Sequence, residues 1–469
     1  MAHVLRVTNG TTTVNLTGGP ITLAQYTPRS PETTVEEATA WALEDGGEVF
    51  AVAHRNVAEP IELTIVDSTT ALVRAKVNAL EMLLEEAAER QRRRIGSRVY
   101  VEFQPGASGD IYRSELLYGR LELGNELLGM DWRAPGARAL LSWKRRFYWE
   151  GPQSELPLAN GNGSGTGGRT IHNHDDGGAG HDNYVAIDGD DVEGVLPAPI
   201  RLEITNTYNQ STRTWDVYVG QNIWSSPGSL DHIIEAEDRD YVAGSASPQS
   251  DGSCSGGYKQ PSTWPVDAQT LLLRFDLSTA LLGACAGNYF RLLARFPTDP
   301  PETGCFIQPK ITFPSGTPIT VVAEGREIEL NDHTLQSLGV MQIPPWLPGE
   351  TSLYPVDLCI YGRQAGGGTL VWDYIQLTPL DGWRALIPRG YGAEYQIRIV
   401  DDGIAGSIWT DGWSGSQKTG HYLGRGRPIH LWPGRDQRLY FLAGNSNQNS
   451  EIARTHSIRA YYRPRRLTL

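Results

Sequence analysis

The chain has 469 residues, enough for roughly two to four domains that each bury their own core. Its 41 Lys and Arg residues stand against 54 Asp and Glu residues, and a net charge of -13 argues against a dedicated binder of nucleic acid or anionic membranes. No stretch is apolar for long enough to cross a bilayer, and the first residues lack the pattern of a secretory signal. Membrane insertion and signal-directed secretion are therefore not expected.

The first 151 residues read as a sheet with one helix. Five stretches with the alternating pattern of half-buried strands lie at 4–8, 12–16, 49–53, 61–66 and 99–103. With 52 Gly, 29 Pro, 13 Trp and 20 Tyr, the whole chain is rich in turn formers and large rings, which suits many short strands. The fold class is expected to be mainly β.

A single long helix is predicted at 69–94. Ser68 can cap its start, Gly96 can end it, and arginines in the last turn suit the negative end of the helix dipole. One stripe along the helix is apolar and should lie on the sheet; it consists of Val73, Val77, Leu80, Leu84 and Ala87.

Two further strands, at 111–123 and 138–149, close this first domain. The sequence Tyr-Arg-Ser-Glu-Leu-Leu-Tyr-Gly-Arg-Leu at 112–121 and the closing Lys-Arg-Arg-Phe-Tyr-Trp-Glu at 144–150, with one packed helix, resemble the tail-tube-like domain of phage distal tail proteins. The resemblance implies a ring-forming domain over 1–151. It also implies a homo-oligomeric ring, expected to be a hexamer, that contacts the tube and tail-tip hub proteins.

The rest of the chain divides by composition and strand pattern. Residues 152–194 contain a Gly-rich run and are predicted to be a linker or extended loop. Residues 195–228 and 380–469 supply the opening and closing strands of a β-sandwich. The segment between them, 229–379, is then an insertion, which a fold tolerates where the inserted ends lie close together.

The inserted segment carries ordered motifs. These are Glu-Ala-Glu at 235–237, Gly-Gly-Tyr at 256–258, a strand at 289–296 and Asp-Tyr-Ile at 373–375. In this order they resemble the jelly-roll carbohydrate-binding modules appended to polysaccharide-degrading enzymes. The resemblance implies a structural calcium held by Glu235, Glu237 and Asp373, and hard oxygen ligands of this kind suit Ca²⁺. The alternative is a hydrogen-bonded acidic pair without metal.

Sugar binding requires flat apolar rings together with a few polar groups for the hydroxyls. The candidates near the matching loops are the aromatic residues Tyr258, Trp264, Tyr361 and Trp372 and the polar residues Asn288 and Arg363. Each aromatic residue could equally belong to the core.

Other chemically suggestive residues have simpler explanations. His172, His174 and His181, with Asp175, Asp176 and Asp182, lie in a Gly-rich loop whose spacing fixes no metal geometry, so a solvated or subunit-contacting loop is favoured. The four cysteines form no Cys-x-x-Cys pair and are either buried thiols or local disulfides; they are Cys254, Cys285, Cys305 and Cys359. The C-terminal Arg463, Arg465 and Arg466 suit a solvated tail or a contact with a neighbouring subunit's carboxylates.

No enzyme motif stands in a supporting context, so no catalytic activity is expected. The hypothesis is a non-enzymatic tail-tip hub of a phage virion, made in the host cytoplasm, with a module that binds host-surface glycan. The rival hypotheses are a free glycan-binding or polysaccharide-processing protein, and a jelly roll that serves only as a spacer. The sequence leaves open the host, the glycan, the order of the ring and the tail partners.

Overall fold

A computed structural model of the protein describes most of the chain. The described residues are 3–23, 26–38, 48–106, 108–123, 136–173, 182–208, 213–222, 233–252, 254–264, 268–277, 289–298, 300, 304–313, 320–331, 335–343, 356–379, 382–390, 392–411, 417–443 and 455–469. Strands dominate, which confirms the mainly β prediction. The chain packs into two compact units, the first made of Met1–Gln153, Glu193–Leu196 and Arg463–Leu469 and the second of Ser154–Val192 and Pro197–Tyr462.

The first unit is an antiparallel sheet with one helix. Its elements are β1 (Val4–Thr8), β2 (Thr13–Asn15), β3 (Ile21–Leu23), β4 (Thr33–Ala38), β5 (Glu48–His54), β6 (Val57–Val66), α1 (Thr70–Arg93), β7 (Tyr100–Gln104), β8 (Tyr112–Leu123), β9 (Gly136–Arg145) and β10 (Trp149–Glu150). The main sheet runs in the order β2-β1-β7-β8-β9-β6-β3, whereas β4 and β5 form a separate hairpin.

Helix α1 packs its apolar stripe on this sheet. The predicted stripe residues are all buried, together with Leu83. The cap is Thr69 rather than Ser68, since the Thr69 hydroxyl accepts a hydrogen bond from the Leu72 amide at 3.3 Å. Arg94 ends the helix in a left-handed conformation with φ 59°, before Gly96 is reached. Gly119 of β8 lies so close to Leu84 of the helix that a Cβ there would clash.

The second unit contains the sandwich and the insertion. Its opening strands are β11 (Ser154–Glu155), β12 (Leu158–Asn160), β13 (Gly163–Gly165), β14 (Arg169–Ile171), β15 (Tyr184–Ile187), β16 (Ala198–Pro199), β17 (Arg201–Asn206) and β18 (Val217–Asn222). The insertion contains β19 (Ile233–Glu235), β20 (Tyr241–Val242), β21 (Gln249–Ser250), β22 (Tyr258–Trp264), β23 (Thr270–Asp276), β24 (Tyr289–Arg295), β25 (Cys305–Phe313), β26 (Thr320–Glu324), β27 (Ile328–Glu329), β28 (Leu335–Gln342), β29 (Asp357–Gln364), β30 (Gly368–Trp372) and β31 (Tyr374–Pro379).

The chain then returns to the sandwich. The closing strands are β32 (Arg384–Pro388), β33 (Arg398–Asp402), β34 (Ser407–Asp411), β35 (Gln417–Thr419), β36 (Tyr422–Gly426), β37 (His430–Leu431), β38 (Gln437–Ala443), β39 (His456–Tyr462) and β40 (Arg465–Arg466). One sandwich sheet runs β11-β39-β17-β33-β34-β35, and the other runs β13-β12-β15-β38-β18-β32-β36.

The described residues of segment 152–194 include paired strands, where the sequence predicted a linker or extended loop. Its strands β11 and β14 pair with β39, and β15 pairs with β38. The Gly-rich strand β13 is ordered by pairing with β12. Partners more than 300 residues downstream, as in the pairing of Ser154 with Tyr462, supply hydrogen bonds that local composition does not reveal.

The inserted strands form three sheets around a core of their own. The sheets run β19-β31-β24-β28, β20-β23-β29-β25-β26 and β21-β22-β30. The first and last inserted strands are paired, with Ile233 opposite Gln376, so both ends of the insertion lie together. A small shared core, including Tyr374, Leu293 and Leu442, joins the insertion to the sandwich. There the Tyr374 hydroxyl donates to the carbonyl of Asn173 at 2.6 Å.

Arg465 and Arg466 form a strand of the first unit rather than a solvated tail. Strand β40 pairs with β10, placing Arg465 opposite Glu150. The Arg465 guanidinium lies 3.0 Å from the Glu150 carboxylate and stacks over the ring of Tyr148 at 4.1 Å. Arg465 therefore contacts a carboxylate of its own chain.

Within the described residues, no helix is both long and apolar enough to cross a membrane.

Candidate functional site

The three predicted calcium ligands surround one tight turn of the inserted segment. This turn is the short 3₁₀ segment Ser255–Gly257, in which Gly256 has φ 59°. The Ser255 amide donates to Asp373 Oδ1 at 2.8 Å, and the Ser255 hydroxyl donates to Glu235. A Cβ on Gly256 would meet the Glu237 carboxylate, which explains the glycine. The two motifs Glu-Ala-Glu and Gly-Gly-Tyr thus meet in space.

Asp373 already has a cationic partner. Its side chain is fully buried, and its Oδ2 pairs with the guanidinium of Arg295, which is only 2 % exposed. Burial lowers the pKa of Arg295, because a desolvated cation is costly, while nearby acidic groups including Glu235 favour its charge. The sequence analysis predicted the strand at 289–296 but did not identify Arg295, at the end of β24, as the partner of Asp373.

Glu237 keeps an unsatisfied oxygen. Its Oε2 is buried without a hydrogen-bond partner in the described structure, and burial raises the pKa of this carboxyl. An orphaned carboxylate oxygen suits a cation, whereas Asp373 is committed to Arg295 and Ser255. Among the described residues, no group of three His, Cys, Asp or Glu side chains is arranged to hold a metal. The three-carboxylate donor set does not fit a metal with Arg295 in place, and calcium stays a prediction.

Two of the predicted sugar-binding aromatics are core residues. Trp372 is 0 % exposed, donates its indole N–H to the Ser262 hydroxyl at 2.8 Å and packs against Phe296. Trp264 is 3 % exposed within the same core. Because a sugar needs an accessible ring face, the prediction that Trp372 and Trp264 bind sugar is wrong.

The other candidates lie nearer the surface. Tyr258 is 46 % exposed at the start of β22, beside the Lys259–Asp251 ion pair. Tyr361 and Arg363 are partly exposed and two residues apart on β29, so they share one face. Asn288 lies outside the described residues.

The face of Tyr361 and Arg363 continues onto β25. There Phe306, Gln308 and Lys310 alternate with buried neighbours, and the register places Phe306 opposite Arg363 and Gln308 opposite Tyr361. Arg363 stacks over the Phe306 ring at 4.1 Å, and Lys310 lies 4.9 Å from the centre of the Tyr361 ring. We call these five residues the aromatic face. It combines two rings with three polar side chains, of which Arg363 is ion-paired with Glu327 at 2.9 Å and Lys310 with Glu324 at 2.7 Å.

The remaining sequence candidates divide between buried and undescribed residues. Three cysteines are buried, namely Cys254, Cys305 and Cys359, and burial raises the pKa of the Cys305 thiol to about 12. In the histidine-rich loop, the Asp182 carboxylate accepts from the Gly161 amide at 2.6 Å. Cys285, His174, His181, Asp175 and Asp176 lie outside the described residues.

A second candidate surface is the hairpin β4–β5 of the first unit. It pairs with no other strand in the described structure. Val35 and Val52 face each other across it and are 46 % and 60 % exposed. Residues 30–53 carry six acidic and no basic side chains. A two-stranded hairpin is marginally stable alone, and unpaired edges favour pairing with another chain.

The approach to this hairpin is fixed by a buried network, which we call the Glu59 network. Glu59 accepts from the Tyr26 hydroxyl at 3.0 Å, the Trp143 indole at 2.8 Å and the Arg29 amide at 2.8 Å. Arg145, fully buried, lies 2.9 Å from Glu59 and also donates to the Arg29 carbonyl at 2.8 Å. Both backbone groups of Arg29, four residues before β4, are therefore held by buried charges.

Comparisons with known proteins give only distant similarity. No family model and no curated protein matches the sequence. The Dit protein of phage SPP1, described as a hub of the adsorption apparatus in phages that infect Gram-positive hosts, is similar in structure with 9 % identity, a TM-score of 0.34 and coverage of 99 % of each chain. A chain of the phage P2 baseplate in its activated conformation with Ca has 9 % identity and a TM-score of 0.32, over 99 % of this chain and 98 % of that one. At these scores the similarity does not assign a family.

Proposed function

We propose that this chain is a structural component of a phage tail tip, a hub that assembles with copies of itself into a ring and offers its jelly roll to host-surface glycan. The observation that carries the proposal is the exposed β4–β5 hairpin on a buried, fixed base. The hexameric order and the tube and tail-tip partners follow the sequence resemblance. No catalytic step is part of this function.

The hairpin supports self-assembly on energetic grounds. The cross-strand pair Val35–Val52 leaves apolar surface in water, and covering it would contribute about 25 cal/mol for each Å² removed. The Glu59 network presents the hairpin from a fixed position, which reduces the entropy lost when a neighbour binds. A neighbouring copy is the partner that a ring supplies to each hairpin.

Mass photometry and negative-stain electron microscopy of the full chain test assembly. The wild-type chain should form rings, and Val35→Lys with Val52→Lys should leave monomers. The matched control is Val321→Lys with Val322→Lys, two exposed valines of β26 in the jelly roll, which should leave the rings intact. A monomeric wild-type chain, or rings that survive the hairpin substitutions, would contradict the proposal.

The glycan function rests on the aromatic face. Several weak sites on one ring act together, so poor single-site affinity still gives firm attachment. Phe306→Ala with Tyr361→Ala should abolish glycan-array binding, whereas Tyr289→Ala, which removes an exposed ring elsewhere in the jelly roll, should not. Binding that survives the double substitution would remove the aromatic face from the proposal.

The second candidate function is a free glycan-binding or polysaccharide-processing protein. The aromatic face favours it equally, because that face does not depend on the ring. A strictly monomeric chain that binds glycan would support this candidate, and release of reducing sugar from the bound polysaccharide would identify processing.

A further inference from the structure

A cleft lies in the β-sandwich, away from the motifs of the inserted segment. Its volume is about 590 Å³, within the range of small-ligand sites. Its lining includes Arg389 after β32, Glu394 before β33, Asp411 at the end of β34, and Lys418 and Thr419 of β35. The lining also includes Gly392, Ala393 and Ile397, so a ligand there can make apolar contacts as well as hydrogen bonds and ion pairs.

The charges in this cleft are unevenly compensated. Glu394 is paired with Arg213 at 2.8 Å, and Asp411 is paired with Arg398 at 3.1 Å. Arg389 and Lys418 are exposed and make no ion pair with any residue that the structure describes. In a chain of net charge -13, two uncompensated cations in one cleft form a local site for an anion.

The wall of the cleft is held in place. The Tyr422 hydroxyl is buried, accepts from the Ala393 amide at 2.9 Å and donates to the Thr214 carbonyl. Gln396 has φ 59°, a left-handed conformation that is costly for a side chain, and its amide donates to the Asn206 carbonyl at 2.9 Å. Strained residues persist where surrounding structure fixes them, and they concentrate at ligand sites.

We propose that this cleft binds a saccharide bearing a single anionic group, a carboxylate or a phosphate. Arg389 and Lys418 hold the anion, since a guanidinium and an ammonium are the side chains that bind such groups. Glu394, Asp411 and Thr419 retain acceptor positions for the sugar hydroxyls. The two carboxylates disfavour a densely charged polyanion, so the ligand carries its charge at one end. This inference is independent of ring assembly and of the jelly roll.

Saturation-transfer NMR and calorimetric titration of the full chain test it. The probes are glucuronic acid, glucose 6-phosphate and glucose, which share one ring and differ in the anionic group. At least one anionic probe should bind five-fold or more tightly than glucose, and the tighter of the two identifies carboxylate or phosphate as the group. Equal binding of all three, or no binding, overturns the proposal.

The variant Arg389→Gln with Lys418→Gln should weaken binding of the tighter probe at least ten-fold. The matched control, Arg326→Gln with Arg427→Gln, removes the same charge from exposed positions outside the cleft lining and should change binding less than two-fold. Equal losses in both variants would mean that net charge alone attracts the probe, which overturns the assignment. Circular dichroism of each variant verifies that the fold is kept.

Discussion

The first unit and the inserted segment each bury an arginine beside a carboxylate. They differ in whether the neighbouring carboxylate oxygens all have hydrogen-bond partners. Both oxygens of Glu59 accept hydrogen bonds, and its partner Arg145 also holds the backbone of Arg29. In the jelly roll, Asp373 and Arg295 are paired, but the neighbouring Glu237 keeps an orphaned oxygen. A closed network fixes geometry, whereas an open one retains capacity for a further cation.

The largest expected loss of stability comes from disrupting the Glu59 network. Glu59→Ala leaves Arg145 buried without a counter-charge, so the free energy of unfolding of the first unit should fall by about 4 kcal/mol. Urea denaturation measures the change. The control is Glu62→Ala on the exposed side of the same strand, which should cost less than about 0.5 kcal/mol. Similar losses for both variants would show that the Glu59 network does not dominate.

Breaking the ion pair between Arg295 and Asp373 should destabilise the protein less than the loss of Glu59. Arg295→Met leaves Asp373 uncompensated near Glu235 and Glu237, and we expect a loss of about 3 kcal/mol. Calcium should restore part of this stability in the variant, because the displaced guanidinium frees the carboxylates for a metal. Thermal unfolding with calcium and with chelator measures it. Wild-type protein that loses several degrees in chelator would show that calcium already binds with Arg295 in place.

A third buried carboxylate of the jelly roll gives a pH dependence. Burial raises the pKa of Asp357 to about 6 from its ordinary value of 3.8; Arg274 opposes this shift, and repulsion from Asp276 and Asp240 adds to it. The unfolded chain therefore releases this proton more readily, and stability falls as pH rises from about 4 to about 6. Asp357→Asn should be more stable than wild type by about 1 kcal/mol at pH 7 and equally stable at pH 4.

Urea denaturation at both pH values tests this prediction, with Asp238→Asn at an exposed position as the control. A variant whose stability follows that of the wild type across the pH range would show that Asp357 is charged in both states.

The smallest expected change in stability comes from replacing Glu237, whose Oε2 has no hydrogen-bond partner in the described structure. The pKa of Glu237 is raised by burial, so Glu237→Gln should stabilise the calcium-free protein at pH 7 by less than about 1 kcal/mol. In the Arg295→Met background it should instead remove the stabilisation by calcium. Full calcium stabilisation in the double variant would exclude Glu237 as a ligand.

Local patterns predicted what local interactions determine. The stripe of α1 was visible because residues three and four apart share a helix face, and Val73 and Val77 are buried as expected. The motifs around Glu235 and Asp373 predicted that these residues meet, although the turn at Ser255 that joins them was not foreseen. The alternation at Phe306, Gln308 and Lys310 was readable from the sequence and was overlooked.

Long-range pairing explains the misses. Strand β13 looked like a flexible linker because its composition is Gly-rich, yet pairing with β12 orders it. Strand β40 looked like a tail because its partner β10 lies more than 300 residues earlier. Trp372 and Trp264 looked like ligand contacts, but which face of a strand lies inward depends on the opposite sheet.

The position of β40 has a consequence for biosynthesis. Arg465 and Arg466 pair with β10, so the first unit acquires this strand only after the ribosome has made the whole second unit. Until then, Glu150 lacks the guanidinium of Arg465 and β10 has an open edge. Nascent chains consequently carry an unfinished first unit until β40 has been synthesised.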